Sequence, residues 1–208
     1  MIDVIAELAA LHRYVARRPG ASGEEVCVEV RRTYPTTADD LWDAITTPPR
    51  LARWFLPVTG ELSVGGTFQL EGNAGGEVLG CEPPTLLRLS WGSDVSIVEV
   101  RLGAGTEPET TELVLRHSVP IELAGSGAGA LWVGPGWDAA LLALGGHIRG
   151  DGAAETPEFS RGSVEAWAGA VEASATATAE EIAGAVEMSM AQFGGGALTE
   201  ARARAEDA

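Results

Sequence analysis

DDLWDAITTPPRLARWFLPVTGELSVGGTFQL, residues 39–70, is the stretch from which the rest of the chain can be placed. Leu41, Trp42 and Ile45 fall on one helical stripe, with Thr36, Thr37 and Asp39 ahead of them as candidate caps. Thr46-Thr47-Pro48-Pro49 stops that helix, because a residue before proline is pushed out of the helical region. A second short turn over 50–54 runs into Phe55-Leu56-Pro57. An alternating run from Val58 to Val64, a Gly65-Gly66 turn and a return over 67–70 then read as a β-hairpin. Two small helices feeding an antiparallel meander suggest a container for an apolar guest.

The strands continue on both sides. Upstream, Val26, Val28 and Val30 alternate with Cys27, Glu29 and Arg31, the pattern of a half-buried strand. Downstream, strand-like runs cover 77–81, 86–91, 95–102 and 110–117. They are joined by short connections carrying Asn73-Ala74-Gly75-Gly76, Pro83-Pro84 and Gly103-Ala104-Gly105, so consecutive strands are expected to be antiparallel neighbours. Residues 120–130 read as a mobile loop. A helix over about 136–147 carries Trp137, Ala140, Leu141, Leu144 and Ile148 on its apolar stripe and is the natural cover for the sheet.

Outside this unit, residues 2–18 have the spacing of an amphipathic helix, with Ile5, Leu8, Leu11, His12 and Val15 on one stripe. After a linker over 150–157, two more helices are predicted. One runs over 163–173 with Val164, Trp167 and Val171 on a face. The other runs over 179–193 behind a Thr178/Glu181 capping box. The division expected is an N-terminal helix over 1–22, a central domain over 23–150 and a helical extension over 151–208 with a frayed tail. The terminal helices are expected to pack on the body or to join two copies in a homodimer.

Composition narrows the function. The formal net charge of −16 disfavours nucleic acid and an anionic membrane surface as partners. All 14 basic residues are Arg, which excludes Schiff-base chemistry and a P-loop lysine. Cys27 and Cys81 have neither a CxxC partner nor a nearby His, so no metal site and no cofactor is expected. Free thiols, an acidic N-terminal stretch and no run of ~20 apolar residues point to a cytoplasmic protein.

Several fragments together resemble the family named after the activator of Hsp90 ATPase, within the START/Bet v 1-like group. They are Val30-Arg31-Arg32-Thr33-Tyr34, Leu41-Trp42-Asp43-Ala44-Ile45-Thr46 with Pro48, Trp54, Gly65-Gly66-Thr67-Phe68, Gly76-Glu77-Val78-Leu79 with Glu82-Pro83-Pro84, Leu89-Ser90-Trp91 and Gly136-Trp137. The resemblance covers about 25–149. It implies an α+β helix-grip fold, in which a curved seven-stranded antiparallel sheet wraps a long C-terminal helix around a cavity. It also implies a small hydrophobic, lipid-like or polyketide-like ligand.

On that fold, alternation places Phe68, Leu79, Leu87, Leu89, Trp91, Val98, Val100, Leu113, Leu115 and His117 on the concave face. Trp137, Leu141 and Leu144 face them from the helix, with Trp54 and Phe55 near the mouth. Ligand contacts are therefore expected from Trp54, Phe55, Phe68, Leu89, Trp91, Val100, Leu115, His117, Trp137 and Leu141. A mostly apolar wall with few polar anchors suits a carrier or sensor. Two rival readings follow. His117 with an inward Glu77 would suit proton transfer in a cyclase, dehydratase or hydrolase. A protein-interaction factor would instead show a filled cavity and an exposed apolar patch near Trp167 or Phe193. Arg50 and Arg53 beside Trp54 could meet an acidic group, or form an ordinary solvated face.

Overall fold

In the computed structural model, which describes residues 2–20 and 23–194, eight antiparallel strands form one sheet in the order β1-β2-β8-β7-β6-β5-β4-β3. In chain order the elements are α1 (Val4–Ala9), β1 (His12–Pro19), β2 (Glu24–Tyr34), α2 (Ala38–Thr46) and α3 (Pro48–Leu51). Then come β3 (Val58–Gly60), β4 (Thr67–Leu70), β5 (Gly75–Glu82), β6 (Leu86–Ser90), β7 (Ile97–Ala104) and β8 (Thr111–Pro120). The helical part follows as α4 (Ile121–Ala124), a 3-10 segment (Gly127–Trp132), α5 (Gly134–Arg149), α6 (Pro157–Ser174) and α7 (Ala179–Phe193).

The caps explain the boundaries. Thr37 accepts a hydrogen bond from the Asp40 N–H and starts α2, which ends at Thr47 ahead of Pro48. Pro135 sits in the first turn of α5, where a missing N–H costs nothing, and Gly150 ends that helix in the left-handed conformation. Thr178 and Glu181 form the reciprocal box expected at the start of α7. The apolar face of α5 lies against the concave side of the sheet, with Leu141 and Leu144 buried there. The Tyr34 hydroxyl reaches across from β2 to donate to the Leu141 carbonyl at 3.0 Å.

Three expectations are corrected. Residues 2–18 are not one helix: only 4–9 are helical, and 12–19 form β1, an eighth strand paired with β2 from His12↔Arg31 to Pro19↔Glu24. A four-residue spacing such as Leu11 to Val15 puts two side chains on one face of a helix or of a strand, so it cannot separate them. The unpaired edge of β2 decides the matter by supplying a full ladder of backbone partners. His12 is accordingly an exposed strand residue, not a helical one. Second, the first hairpin is shorter in strand and longer in loop than a Gly65-Gly66 turn implies: Val58–Gly60 pairs with Phe68–Leu70. The intervening loop is tied to β5 through Gly65 N–H to Val78 O and Val78 N–H to Gly66 O. Third, 120–130 is not a mobile loop. It forms α4 and most of the 3-10 segment, with Gly127, Ala128, Gly129, Ala130 and Leu131 buried.

The C-terminal helices are what bury it. α6 packs on β1, α5 and the 3-10 segment, while α7 packs on α6 and that same segment. Phe159, Val164, Trp167 and Val171 of α6 are fully buried, each such side chain adding roughly 1.5–3 kcal/mol by transfer from water. The approach of α6 to α5 needs Gly134, because a Cβ there would lie 2.5 Å from the Trp167 ring. α6 starts at Pro157, six residues before the 163 expected, and the proposed frayed tail falls outside the described residues. Beneath the contact lies a buried polar knot. Arg13 of β1 donates from Nε to Asp138 of α5 at 2.8 Å, and Ser163 of α6 donates to the same carboxylate. Burial pushes the Asp138 carboxyl up, opposed by Arg13 and Ser163.

Candidate functional site

Between the concave face and α5 lies a cavity of about 170 Å³ with an almost wholly apolar wall. The sheet contributes Phe68, Val78, Leu87, Leu89, Val98, Val100, Leu113 and Leu115, in phase with the pleat. α5 contributes Trp137, Ala140, Leu141 and Leu144, and the α2–α3 segment adds Ile45, Leu51, Trp54 and Phe55. Trp91 closes one end, its ring 4.9 Å from that of Trp137 and 6.1 Å from that of Phe68. Trp54 stacks on Phe55 and donates its N–H to the Ala44 carbonyl at 2.9 Å, which fixes the mouth.

Of the ten residues expected to contact a ligand, nine line this cavity: Trp54, Phe55, Phe68, Leu89, Trp91, Val100, Leu115, Trp137 and Leu141. His117 does not. It stands behind Trp137, only 2% exposed, with both ring nitrogens engaged. The Trp137 indole N–H donates to Nδ1 at 3.1 Å. That leaves Nε2 as the protonated nitrogen, which donates to the Ser96 hydroxyl at 2.7 Å. His117 is therefore a neutral bracket for the Trp137 ring. Ser96 shares the face of Val98 and Val100, so its inward side chain was legible from alternation, although its pairing with His117 was not.

Glu77 and Leu79 are corrected outright. Both are exposed, and Val78 and Cys81 face the cavity instead. The register of β5 against β6 slips between Val78 and Gly80, so one extra residue is accommodated and the alternation changes phase at Leu79. A carboxylate at position 77 thus cannot join His117, and the proton-transfer pair does not form. Arg50 is bound to Asp40 and Asp43 at 2.8 Å each, the solvated-face reading. Trp167 and Phe193 are buried, so neither carries the exposed patch expected of an interaction factor. Among the described residues, no helix is long and apolar enough to cross a membrane.

Burial also sets the acid response. The His117 pKa is lowered from 6.5 to about 4 because the charged ring would lose its solvation. Between those two values the unfolded chain binds the more protons. The stability gained by folding around a neutral ring is complete above about pH 6.5 and is lost as the pH falls towards 4. Urea unfolding at pH 7 and pH 4.5 is expected to differ by about 2 kcal/mol from this group, and His117→Gln is expected to flatten the difference. An unchanged slope in that variant would show that other groups set it.

The family described as Activator of Hsp90 ATPase homolog 1-like protein matches residues 35–148. The crystal structure of CalU16 from Micromonospora echinospora is 40% identical over 78% of this chain and 98% of CalU16, with a TM-score of 0.66. The solution structure of CalU16 is 37% identical over 79% of this chain and 97% of its own, also with a TM-score of 0.66. A conserved protein of unknown function from Enterococcus faecalis shares the fold, at 19% identity, 75% and 91% coverage and a TM-score of 0.56. No curated protein matches the chain.

Proposed function

The chain belongs to the Activator of Hsp90 ATPase homolog 1-like family, and from that premise we propose that it binds a small, mainly apolar molecule, lipid-like or polyketide-like, in the cavity beneath α5. The observation that carries this reading is the unfilled apolar space itself. Closely packed interiors leave few voids larger than a water molecule, yet about 170 Å³ remains open between hydrocarbon walls. An apolar cavity of ~150 Å³ stays dry and takes up benzene, so a space of this size suits an aromatic ring or a short branched chain. The walls hold the body of the ligand by burial alone, and the Trp91, Trp137 and Phe68 rings give it flat surfaces.

The reading favours carriage or sensing over catalysis. Among the described residues, Cys81 is the one titratable side chain in the wall, and His117, behind Trp137, is committed to Ser96 and Trp137. Native mass spectrometry of freshly purified protein is expected to show a bound compound that organic solvent releases. With the emptied protein, naphthalene is expected to quench the fluorescence of Trp91 and Trp137 with a micromolar Kd. The absence of both a retained compound and quenching by naphthalene would defeat the proposal.

A further inference from the structure

A second space adjoins the cavity beneath α5 at its aromatic wall. On the far side of Phe55, Trp91 and Trp137, which line both spaces, lies an outer chamber of about 280 Å³. Its character is different, for its wall includes Asn73, Glu155 and Gln192. Three of its residues, Glu155, Gln192 and Phe193, lie beyond residue 148, where the family match stops. The α6–α7 extension, with the segment leading into it, therefore completes this chamber, and the portion matched by the family alone would leave it open.

Size is the deciding magnitude. Sites for drug-sized ligands occupy ~300–1,000 Å³, and the inner cavity falls short of that range. With the outer chamber added, the space enters it. Resting on the cavity reading above, we propose that the ligand has two parts: an apolar body in the inner cavity, and a hydrogen-bonding, non-anionic end in the outer chamber. The ligand passes beside Phe55, Trp91 and Trp137, which line both spaces. Asn73 and Gln192 offer amide donors and acceptors to a hydroxyl or carbonyl, and Glu155 accepts from donors. Glu155, together with a net charge of −16, excludes a carboxylate or phosphate end.

Three probes test this on the full chain by calorimetry: naphthalene, 2-(2-naphthyloxy)ethanol and 2-naphthyloxyacetate. The hydroxyl-tailed probe is expected to bind about tenfold more tightly than naphthalene, the worth of one well-made polar contact with its added burial. The carboxylate probe is expected to gain nothing. Gln192→Trp, at an exposed position of α7, should crowd the outer chamber and erase the tenfold advantage while naphthalene affinity stays within about twofold. Should that variant not fold, Gln192→Ala with Asn73→Ala removes the polar groups without adding bulk and gives the same readout. Equal affinity of the wild-type chain for naphthalene and the hydroxyl-tailed probe would overturn the two-part ligand, as would an advantage that survives both variants. Failure of naphthalene itself to bind would overturn the inner-cavity reading, and this one with it.

Discussion

Arg13→Ala is expected to destabilise the protein by about 3–5 kcal/mol, the usual cost of removing one partner from a buried ion pair. The reason lies in what stays behind. Asp138 is fully buried, and without the Nε contact at 2.8 Å its carboxylate loses its cationic partner and keeps the neutral Ser163 hydroxyl. Arg13 also donates to the Leu8 and Leu11 carbonyls, so its loss frees the end of α1 as well. Against a typical total stability of ~5–15 kcal/mol this is a large fraction. Arg13→Met combined with Asp138→Leu removes both charges and is expected to recover most of the loss, since a buried pair is often replaceable by packed hydrocarbon. Urea denaturation of the three proteins measures it. A loss under ~1 kcal/mol in Arg13→Ala would place the pair among exposed ones.

Ala140→Phe is expected to abolish binding of naphthalene, with at least ~100-fold loss, while leaving the unfolding midpoint unchanged or raised. Ala140 is buried on the cavity-facing side of α5. A phenyl ring there occupies the space a ligand would take and restores contacts the void lacks. The sign of the stability change is the sharper readout. If the space were already filled, the added ring would overpack it and cost about 1–3 kcal/mol. A marked fall in the midpoint would therefore argue against an open cavity, and retained naphthalene affinity would argue against its location.

Much of this is legible in the amino-acid sequence. Alternation identified β6, β7 and β8, where one face lies on the core and the other is less buried, as with Leu113 and Leu115 against Glu112 and Val114. It also found β2, but that strand is not half-buried as expected, since Cys27 and Glu29 are buried along with Val26, Val28 and Val30. The aromatic and aliphatic wall followed from the same rule. It failed where the rule is suspended: the irregularity after Val78 exchanges the two faces of β5 and is invisible in residue types, since Glu77-Val78-Leu79-Gly80-Cys81 reads equally well in either phase. The N-terminal strand was hidden by a spacing common to both kinds of secondary structure. The outer chamber could not be anticipated, because Asn73 and Gln192 come to line one space only through the packing of α7 over the 3-10 segment.

The arrangement of β1 and β2 has a practical implication for anyone cutting the gene. The portion carrying the family signature, 35–148, omits both strands as well as α6 and α7. Expressed by itself it would present β8, now flanked on one side only, as a bare hydrogen-bonding margin with Leu113 and Leu115 beside it. Such a fragment should precipitate or stack with its own kind. What kinship marks out and what can stand alone in solution are, in this protein, different lengths of polypeptide.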